Sequence, residues 1–282
     1  MNDYMNNTDE RITFDNIAIV YNADVKESYD LALKTKKLLC QKSLNSKLIQ
    51  SDDYDENISF VITIGGDGTI LKASRLYSKK NIPIFGINLG RLGFLAQANP
   101  DELEYAIDKL IAGEYKIQNR MMLSAMHGDV TALNDIVIKG DTFSRTSRLY
   151  LYINDKLLCD YLADGLIIST PTGSTAYTLS AGGPIVSPGL DAVVIVPICP
   201  HTLTARPLVI PAEHTIKITS CETCSKLKLS ADGQNTIDIA SNDYIIINKS
   251  KIQAKLVVLE RENNGFYSVL QHKLQWGVGP KG

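Results

Sequence analysis

The sequence predicts an α/β N-terminal domain, in which helices cover a parallel sheet, followed by a β-rich and mostly antiparallel C-terminal domain. In about the first hundred residues, apolar runs of strand length alternate with segments of helical periodicity, which is the pattern of a parallel sheet. Beyond Gly113, short segments of alternating hydrophobicity follow one another through turn residues. We therefore place the first domain at residues 1–115 and the second at residues 116–258.

Each element of the first domain has its own signal. Apolar runs predict the strands, and apolar residues that recur every three or four positions predict the helices. Asp24 or Ser28 is placed to cap the first helix, and Gly113 is placed to end the last one. The predicted strands cover residues 16–21, 47–50, 59–64 and 82–87, and the predicted helices cover residues 28–44, 70–77 and 100–112.

The second domain is predicted to contain hairpins, which join antiparallel strands. Asn154-Asp155 can form the turn of one hairpin, and Ala231 to Gln234 the turn of another. The predicted strands cover residues 132–138, 149–153, 156–161, 166–168, 215–219, 227–230, 236–239, 244–247 and 255–259.

Composition argues against several classes of protein. The 282 residues include 29 basic and 31 acidic ones, and no basic arm is present, so we expect no nucleic-acid partner. No apolar run approaches the length of about 20 residues that spans a bilayer, and we expect no membrane partner. The N-terminus is polar and acidic, unlike a signal peptide, and the five scattered cysteines do not resemble a disulfide framework. We expect a cytoplasmic protein.

The most informative motif is the loop Gly65-Gly-Asp-Gly-Thr69, which lies between a predicted strand and a predicted helix. Glycines let backbone N–H groups approach an anion, and a helix N-terminus adds partial positive charge, so this loop is expected to face a phosphate. Its phosphate-facing residues are Gly65, Gly66, Gly68 and Thr69.

Asp67, in the middle of this loop, would repel a phosphate. It is better suited to be the partner of a hydroxyl group that attacks one. The loop has neither the Gly-Lys-Ser/Thr ending of a P-loop nor the spacing of the dinucleotide fingerprint. The alternatives are that Asp67 or Thr69 only caps the helix, or that Asp67-Gly68 forms a tight turn.

The segment Asp164 to Ser180 is a second candidate site. An apolar strand leads into a stretch that is rich in hydroxyl groups and small residues, which offers hydrogen bonds to a ligand and close access to backbone. Tyr177 can provide a stacking face. Gly173-Ser174-Thr175 lacks the second glycine of a nucleophile elbow, which argues against a serine hydrolase. The alternative is a connecting loop rich in serine and threonine.

Two shorter segments accompany these motifs. Residues 86–95 leave a strand with three glycines and with an apolar wall from Leu92 and Phe94. Asn134 and Asp135 stand within an otherwise apolar strand, where neighbouring side chains point to opposite faces, so that one polar group is expected to need a partner inside the protein. That partner is either a ligand or the backbone of a loop.

These motifs, together with the segment at residues 200–207, occur in the order found in NAD kinases, and the resemblance spans about residues 16–260. The glycine loop is shared with diacylglycerol-type lipid kinases, whereas the segment 169–177 is particular to NAD kinases. The resemblance implies that the protein transfers a phosphoryl group from ATP, with a divalent metal such as Mg²⁺, to the 2′-hydroxyl of the adenosine ribose of NAD, giving NADP.

The resemblance also implies roles for individual residues. Asp67 would be the proton acceptor, Asn134 and Asp135 would hold the adenosine part, and Asp164 would hold the nicotinamide side. The residues expected at the NAD site are Gly68, Lys72, Phe94, Asn134, Asp135, Arg145, Asp164, Thr172, Thr175, Ala176, Tyr177, Thr178, Leu179, Ser180 and Gln234. No protein ligand for the metal is assigned.

At the level of the whole chain, the resemblance implies a homo-oligomer, often a tetramer, and a C-terminal segment at residues 259–282 that packs back on the first domain. The chain departs from the family in two places. Asp135 stands where many relatives have Glu, and Leu162 stands where many have Arg. The remaining alternatives are a diacylglycerol-type lipid kinase and a dinucleotide-binding regulator without activity.

Overall fold

A computed structural model of the chain describes residues 7–8, 11–90, 93–140, 146–220, 227–240, 243–259 and 265–275. Its helices are α1 (Lys26–Gln41), α2 (Asp67–Tyr77), α3 (Leu103–Ala112), α4 (Tyr177–Ser180) and α5 (Phe266–Leu274). Its strands are β1 (Asn7–Thr8), β2 (Ile17–Tyr21), β3 (Ser46–Gln50), β4 (Phe60–Ile64), β5 (Ile84–Ile87), β6 (Tyr115–Ala125), β7 (Val130–Ala132), β8 (Asp135–Gly140), β9 (Ser147–Ile153), β10 (Lys156–Ala163), β11 (Gly165–Ser169), β12 (Ala192–Ile198), β13 (Leu208–Pro211), β14 (Ile216–Ser220), β15 (Leu227–Ala231), β16 (Asn235–Ile239) and β17 (Tyr244–Leu259).

The chain separates into two units. The first comprises Met1–Asn119 and Ala254–Gly282, and the second comprises Arg120–Gln253. The domain bounds expected from the sequence, residues 1–115, 116–258 and 259–282, stay a prediction. Within the described residues, no helix has both the length and the apolar character needed to cross a membrane.

The first unit is built on a parallel sheet with the strand order β3-β2-β4-β5-β17. Every residue of β2, β4 and β5 is buried, which is typical of a parallel sheet whose two faces are both covered. Leu31 and Leu39 of α1 and Leu103, Ile107 and Leu110 of α3 pack in the same core cluster as these strands. The prediction of a parallel α/β domain is confirmed.

The prediction that Asp24 or Ser28 caps the first helix is wrong. The residue before α1 is Val25, and no side chain caps the helix end. The Ser28 hydroxyl is buried, where it donates to the Ile64 carbonyl at 2.7 Å and accepts from the Asn22 amide at 3.0 Å. Ser28 therefore ties α1 to the end of β4, the point at which the glycine loop begins.

The second unit contains two antiparallel sheets. One has the order β10-β9-β14-β17, and the other has the order β13-β12-β11-β8-β15-β16. Ile136 and Ile138 of β8 belong to the same core cluster as Leu149 and Leu151 of β9, so the core lies between the two sheets. The alternate residues of β8 therefore point to the other face of the six-stranded sheet. The prediction of a mostly antiparallel second half is confirmed.

Three predicted strands differ from those observed. The separate strands predicted at 244–247 and 255–259 are parts of the single 16-residue strand β17. The strand predicted at 132–138 is interrupted at Leu133 and Asn134, between β7 and β8. The carboxylate of Asp232 accepts the backbone N–H groups there, which replaces part of a strand ladder.

Candidate functional site

Asp67 is the first residue of α2, and its carboxylate does not cap the helix. Its Oδ2 accepts the backbone N–H of Phe94 at 3.0 Å, and its Oδ1 accepts that of Leu95 at 3.3 Å. A carboxylate oxygen has room for more than one hydrogen-bond donor, so each oxygen can still accept a ligand hydroxyl. The helix-cap interpretation of Asp67 is wrong, because two amides from a distant loop hold this carboxylate.

Gly93 makes this contact possible. A Cβ atom at position 93 would lie 2.0 Å from Oδ1 of Asp67, which is too close for any side chain. The absence of a side chain there lets the loop approach the carboxylate closely enough to donate its next two amides. Gly93 therefore has a packing role next to the acid.

The glycine loop itself combines one closed and two open positions. A Cβ at Gly65 would lie 2.2 Å from Oγ1 of Thr69, so this glycine leaves room for the threonine, which is buried. At Gly66 and Gly68 a Cβ would meet no atom within 4 Å. These positions at the N-terminus of α2 leave space for an anion beside the partial positive charge of the helix.

Lys72 and Phe94, both expected at the NAD site, also belong to the first unit. The Lys72 ammonium group donates to both carboxylate oxygens of Asp52, at 2.8 and 2.9 Å, and this contact lowers the pKa of Asp52. The Phe94 ring lies 6.5 Å from the ring of Phe266 in α5, and the Lys273 ammonium lies 5.5 Å from its centroid. Lys72 is thus already held by a carboxylate.

The second unit contains a cavity of about 940 Å³ on the face of the six-stranded sheet that points away from the core. Five of the residues expected at the NAD site line this cavity, namely Asn134, Asp135, Asp164, Ala176 and Tyr177. The other lining residues are Val137, Lys139, Gly140, Ile198, Cys199, Lys228, Ser230, Asp232, Gly233 and Thr236. The volume lies within the range of about 300–1,000 Å³ that is usual for ligand pockets.

Six other expected residues are not among those that line the cavity, namely Thr172, Thr175, Thr178, Leu179, Ser180 and Gln234. The segment that contains most of them is not an open loop, because it forms a one-turn 3₁₀-helix (Thr172–Thr175) and then α4. Several hydroxyl groups bond within it: Ser174 donates to the Pro171 carbonyl at 2.7 Å, and Thr175 donates to that of Thr172 at 3.3 Å. These hydroxyl groups shape the segment.

Residues 169–173 also fasten this segment to the Asn134 turn. The Thr170 hydroxyl donates to the Leu133 carbonyl at 2.6 Å, and the Ser169 hydroxyl donates to the Asn134 carbonyl at 3.2 Å. A Cβ at Gly173 would lie 2.2 Å from the same Asn134 oxygen. The two motifs that were separate in the sequence are therefore one packed structure.

Asp232 is a residue of the candidate site that the sequence motifs did not indicate. Its carboxylate accepts three successive backbone N–H groups, from Leu133 at 3.0 Å, Asn134 at 2.7 Å and Asp135 at 3.2 Å. Its own N–H donates to the Asp135 carbonyl at 2.9 Å. The sequence signal was an Asp-Gly turn, which predicts the hairpin but does not show what the aspartate side chain contacts.

Asp135 is a buried acid at the cavity, with only 4% of the residue exposed. Burial, followed by the negative charge of Asp232, raises the pKa of Asp135 to about 7. Its carboxyl group is therefore poised to carry a proton near neutral pH, so that it can donate as well as accept a hydrogen bond.

Arg145, the remaining residue expected at the NAD site, lies outside the described residues, as does Leu92 of the predicted apolar wall. Among the residues that the structure does describe, no three His, Cys, Asp or Glu side chains form a group that could hold a metal ion.

Replacing Gly93 by Ala is predicted to destabilise the protein by about 1–3 kcal/mol, because the added methyl group overlaps the Asp67 carboxylate. Gly90→Ala is the matched control in the same loop, since a Cβ at position 90 meets no atom within 4 Å. Urea unfolding of the two variants and the wild type measures the difference. Equal stabilities for the two variants would contradict the close approach of Gly93 to Asp67.

The raised pKa of Asp135 predicts a specific pH dependence of stability. Between the unfolded value of 3.8 and the folded value of about 7, only the folded state binds this proton, so the contribution of Asp135 to stability falls as the pH rises. The slope is at most about 1.4 kcal/mol per pH unit.

Asp135→Asn removes this titration. We therefore predict that the variant is more stable relative to wild type at pH 7.5 than at pH 5. The difference between the free energies of unfolding of the two proteins, variant minus wild type, is measured by urea unfolding and should be more positive at pH 7.5. A difference between the two proteins that does not change with pH would show that the pKa of Asp135 is not raised.

Comparison with known proteins finds two family domains in this chain. The ATP-NAD kinase N-terminal domain family matches residues 50–115, and the ATP-NAD kinase C-terminal domain family matches residues 133–259. The NAD kinase of Moorella thermoacetica is 46% identical over 226 residues, which cover 77% of this chain and 71% of that protein. The NAD kinase of Carboxydothermus hydrogenoformans is 40% identical over 254 residues, 88% of this chain and 90% of that protein.

Solved structures show the same architecture. The crystal structure of an NAD kinase from Archaeoglobus fulgidus in complex with ATP has a TM-score of 0.77 and 29% sequence identity, and the match covers 92% of this chain and 98% of that one. Yeast NADH kinase complexed with NADH has a TM-score of 0.82 at 24% identity, which shows a shared fold. Because the two family domains match most of the sequence and a relative is 40% identical over 88% of it, the chain belongs to the NAD kinase family.

Proposed function

We propose that this chain is an ATP-dependent NAD kinase, which phosphorylates the 2′-hydroxyl of the adenosine ribose of NAD and produces NADP. The observation that supports this activity best is the Asp67 carboxylate, which two backbone amides hold beside an open glycine loop at a helix N-terminus. Such an acid is preorganised for a hydroxyl nucleophile, and the loop beside it is suited to phosphate.

The role proposed for Asp67 is to orient the nucleophile and take its proton. Phosphoryl transfer depends mainly on placing the nucleophile and the phosphate in line, and a ribose hydroxyl is a poor acid. Asp67 accepts the hydrogen bond of this hydroxyl, which aims the oxygen, and takes the proton as the new P–O bond forms. The amides of Phe94 and Leu95 prevent the carboxylate from turning away.

ATP is proposed to bring its phosphates to Gly66 and Gly68, where the N-terminus of α2 is open. A divalent cation, which we propose to be Mg²⁺, would enter with ATP and neutralise charge on the phosphate oxygens. The relative from Archaeoglobus fulgidus was solved in complex with ATP, which supports this assignment.

NAD is proposed to bind in the cavity of the second unit. Asn134 and Asp135 would hold the adenosine part and Asp164 the nicotinamide side, with Ala176 and Tyr177 as a wall. The pKa of Asp135 supports this role, because a carboxyl group that is partly protonated can bond a hydroxyl in either direction. The shorter side chain of Asp135, compared with the Glu of many relatives, restricts its contacts to groups close to β8.

Asp67→Asn is predicted to lower turnover by about a hundredfold or more, because the amide cannot accept the proton, while NAD binding stays near normal. The assay supplies NAD and Mg-ATP and measures NADP, with diacylglycerol as a parallel substrate. NADP production separates the NAD kinase from a lipid kinase, and binding without product identifies a regulator.

The side-chain NH₂ group introduced by Asp67→Asn would face one of the two backbone donors, so Asp67→Ala is a second variant without this conflict. Circular dichroism and NAD titration show whether each variant is folded. If either folded variant turns over as fast as the wild type at saturating substrate, Asp67 has no role in the chemical step.

A homo-oligomer is also proposed, and the strand β10 supports it. β10 is the last strand in the described order of its sheet, and Leu157, Leu158 and Leu162 on it are 57%, 51% and 43% exposed. An edge strand with exposed apolar side chains is a surface that a second copy can cover.

The molar mass measured by light scattering is predicted to be a multiple of 31.0 kDa, and the substitution Leu158→Lys is predicted to lower this mass. A monomeric wild type would contradict the proposal. The tetrameric state and the cytoplasmic location remain predictions.

A further inference from the structure

Two lysines face each other in the cavity of the second unit. Lys139 of β8 and Lys228 of β15 are directly opposite in the antiparallel register, and both line the cavity. Like charges at directly opposite positions of two strands destabilise a sheet. An anion bound between the two ammonium groups would offset this repulsion.

The contacts of Lys139 support an anion at this position. Lys139 donates to the Tyr177 hydroxyl at 2.9 Å, and its ammonium lies 4.9 Å from the Tyr177 ring centroid; both contacts are with a neutral group. Lys228 is 3.9 Å from a carboxylate oxygen of Asp238, whose side chain is mostly exposed to solvent. In the part of the chain that the structure describes, no carboxylate makes an ion pair with Lys139.

Lys139 is held in one orientation by its surroundings. Gly165 of the neighbouring strand β11 is its register partner, and a Cβ there would lie 2.8 Å from Cγ of Lys139. The missing side chain makes room for the lysine stem, while the Tyr177 hydroxyl holds its end. A side chain that is already oriented loses less conformational entropy when it binds a ligand.

The same face of the sheet is acidic at its other end. Asp135 and Lys139 are four residues apart on β8, so their Cα atoms are about 13 Å apart along the strand and their side chains share one face. Lys228 of β15 and Asp232, the turn residue that follows this strand, are also four residues apart, and both line the cavity. The cavity thus has two carboxyl groups at one end, of which that of Asp135 is suited to a hydroxyl while that of Asp232 holds backbone amides, and two ammonium groups at the other, suited to phosphate.

We propose that Lys139 and Lys228 form an anion subsite of this cavity, which binds a phosphate group of the dinucleotide. The inference rests on the proposed function, since it assumes that the cavity takes NAD. Two phosphate sources share this chemistry, the diphosphate bridge of NAD and the 2′-phosphate of NADP. Tyr177 is then a positioning residue for Lys139 as well as a wall of the cavity.

The test compares Lys139→Gln and Lys228→Gln with Lys217→Gln. Lys217 is a matched control, because its ammonium lies 5.3 Å from the rings of Tyr152 and Tyr244, on β14 and away from the cavity. Dissociation constants for NAD and NADP are measured by calorimetry at low and high salt. We expect the binding of NADP, with or without that of NAD, to weaken about three- to tenfold in each cavity variant, with a smaller salt dependence, and the binding of both ligands to be unchanged in the control.

The ligand whose binding weakens shows which phosphate group occupies the subsite. Equal losses for NAD and NADP assign the subsite to the diphosphate, and a loss for NADP alone assigns it to the 2′-phosphate. Tyr177→Phe keeps the ring and removes the hydroxyl. As a single substitution it is expected to weaken dinucleotide binding, and when added to Lys139→Gln it is expected to have no further effect.

Thermal unfolding without ligand separates a binding role from a structural one. Removing one of two like charges is expected to leave the melting temperature unchanged or to raise it, so a clear fall in both cavity variants would assign the lysines to stability and overturn the subsite. Unchanged affinities for both ligands, or an equal loss in Lys217→Gln, would also overturn it. A wild type that neither binds NAD nor forms NADP refutes the proposed function itself, whereas an active wild type with unaffected cavity variants refutes only the subsite.

Discussion

The capture of a carboxylate by backbone amides is the interaction on which both candidate sites depend. In the second unit, the Asp232 carboxylate accepts three consecutive N–H groups and so bends the chain between β7 and β8. This bend places Asn134 and Asp135 at the cavity, and the segment around Thr170 and Gly173 packs on its carbonyls. Without an acceptor for these amides, residues 133–135 would have to find other partners, because buried N–H groups are costly to leave unbonded.

The first unit uses the same interaction in a different setting. Two amides after Gly93 hold the Asp67 carboxylate, and the glycine is what allows them to approach. In both units the carboxylate and the amides are far apart in the sequence, and a small residue or a turn lets them meet. The result is in each case a rigid backbone beside open space, which suits a ligand better than a flexible loop does.

Local patterns allowed much of the fold to be predicted, because parallel and antiparallel architectures leave different periodicities. The largely apolar runs of β2, β4 and β5, and the Asn154-Asp155 and Asp232-Gly233 turns, are visible in the residues themselves. The failures share one cause. Ser28 was one of two residues predicted to cap α1, and a helix cap was the alternative interpretation of Asp67, yet each side chain bonds backbone that folding alone brings near. The break at Asn134 likewise depends on a side chain almost a hundred residues further along the chain.

For the candidate sites, the residue types and their order were enough to indicate a phosphate-facing loop, an acid for a hydroxyl and a dinucleotide family. The sequence by itself therefore determined many of the elements, the two-part architecture and the chemistry that its glycines, acids and hydroxyls can support. Only the tertiary structure decided that the Ser174 and Thr175 hydroxyls bond within their own segment, that Asp232 supports the Asn134 turn, and that Lys139 faces Lys228. The physical reason is that strand register and burial are properties of the assembled sheets. Register sets which charged side chains become neighbours, and burial sets which acids are desolvated.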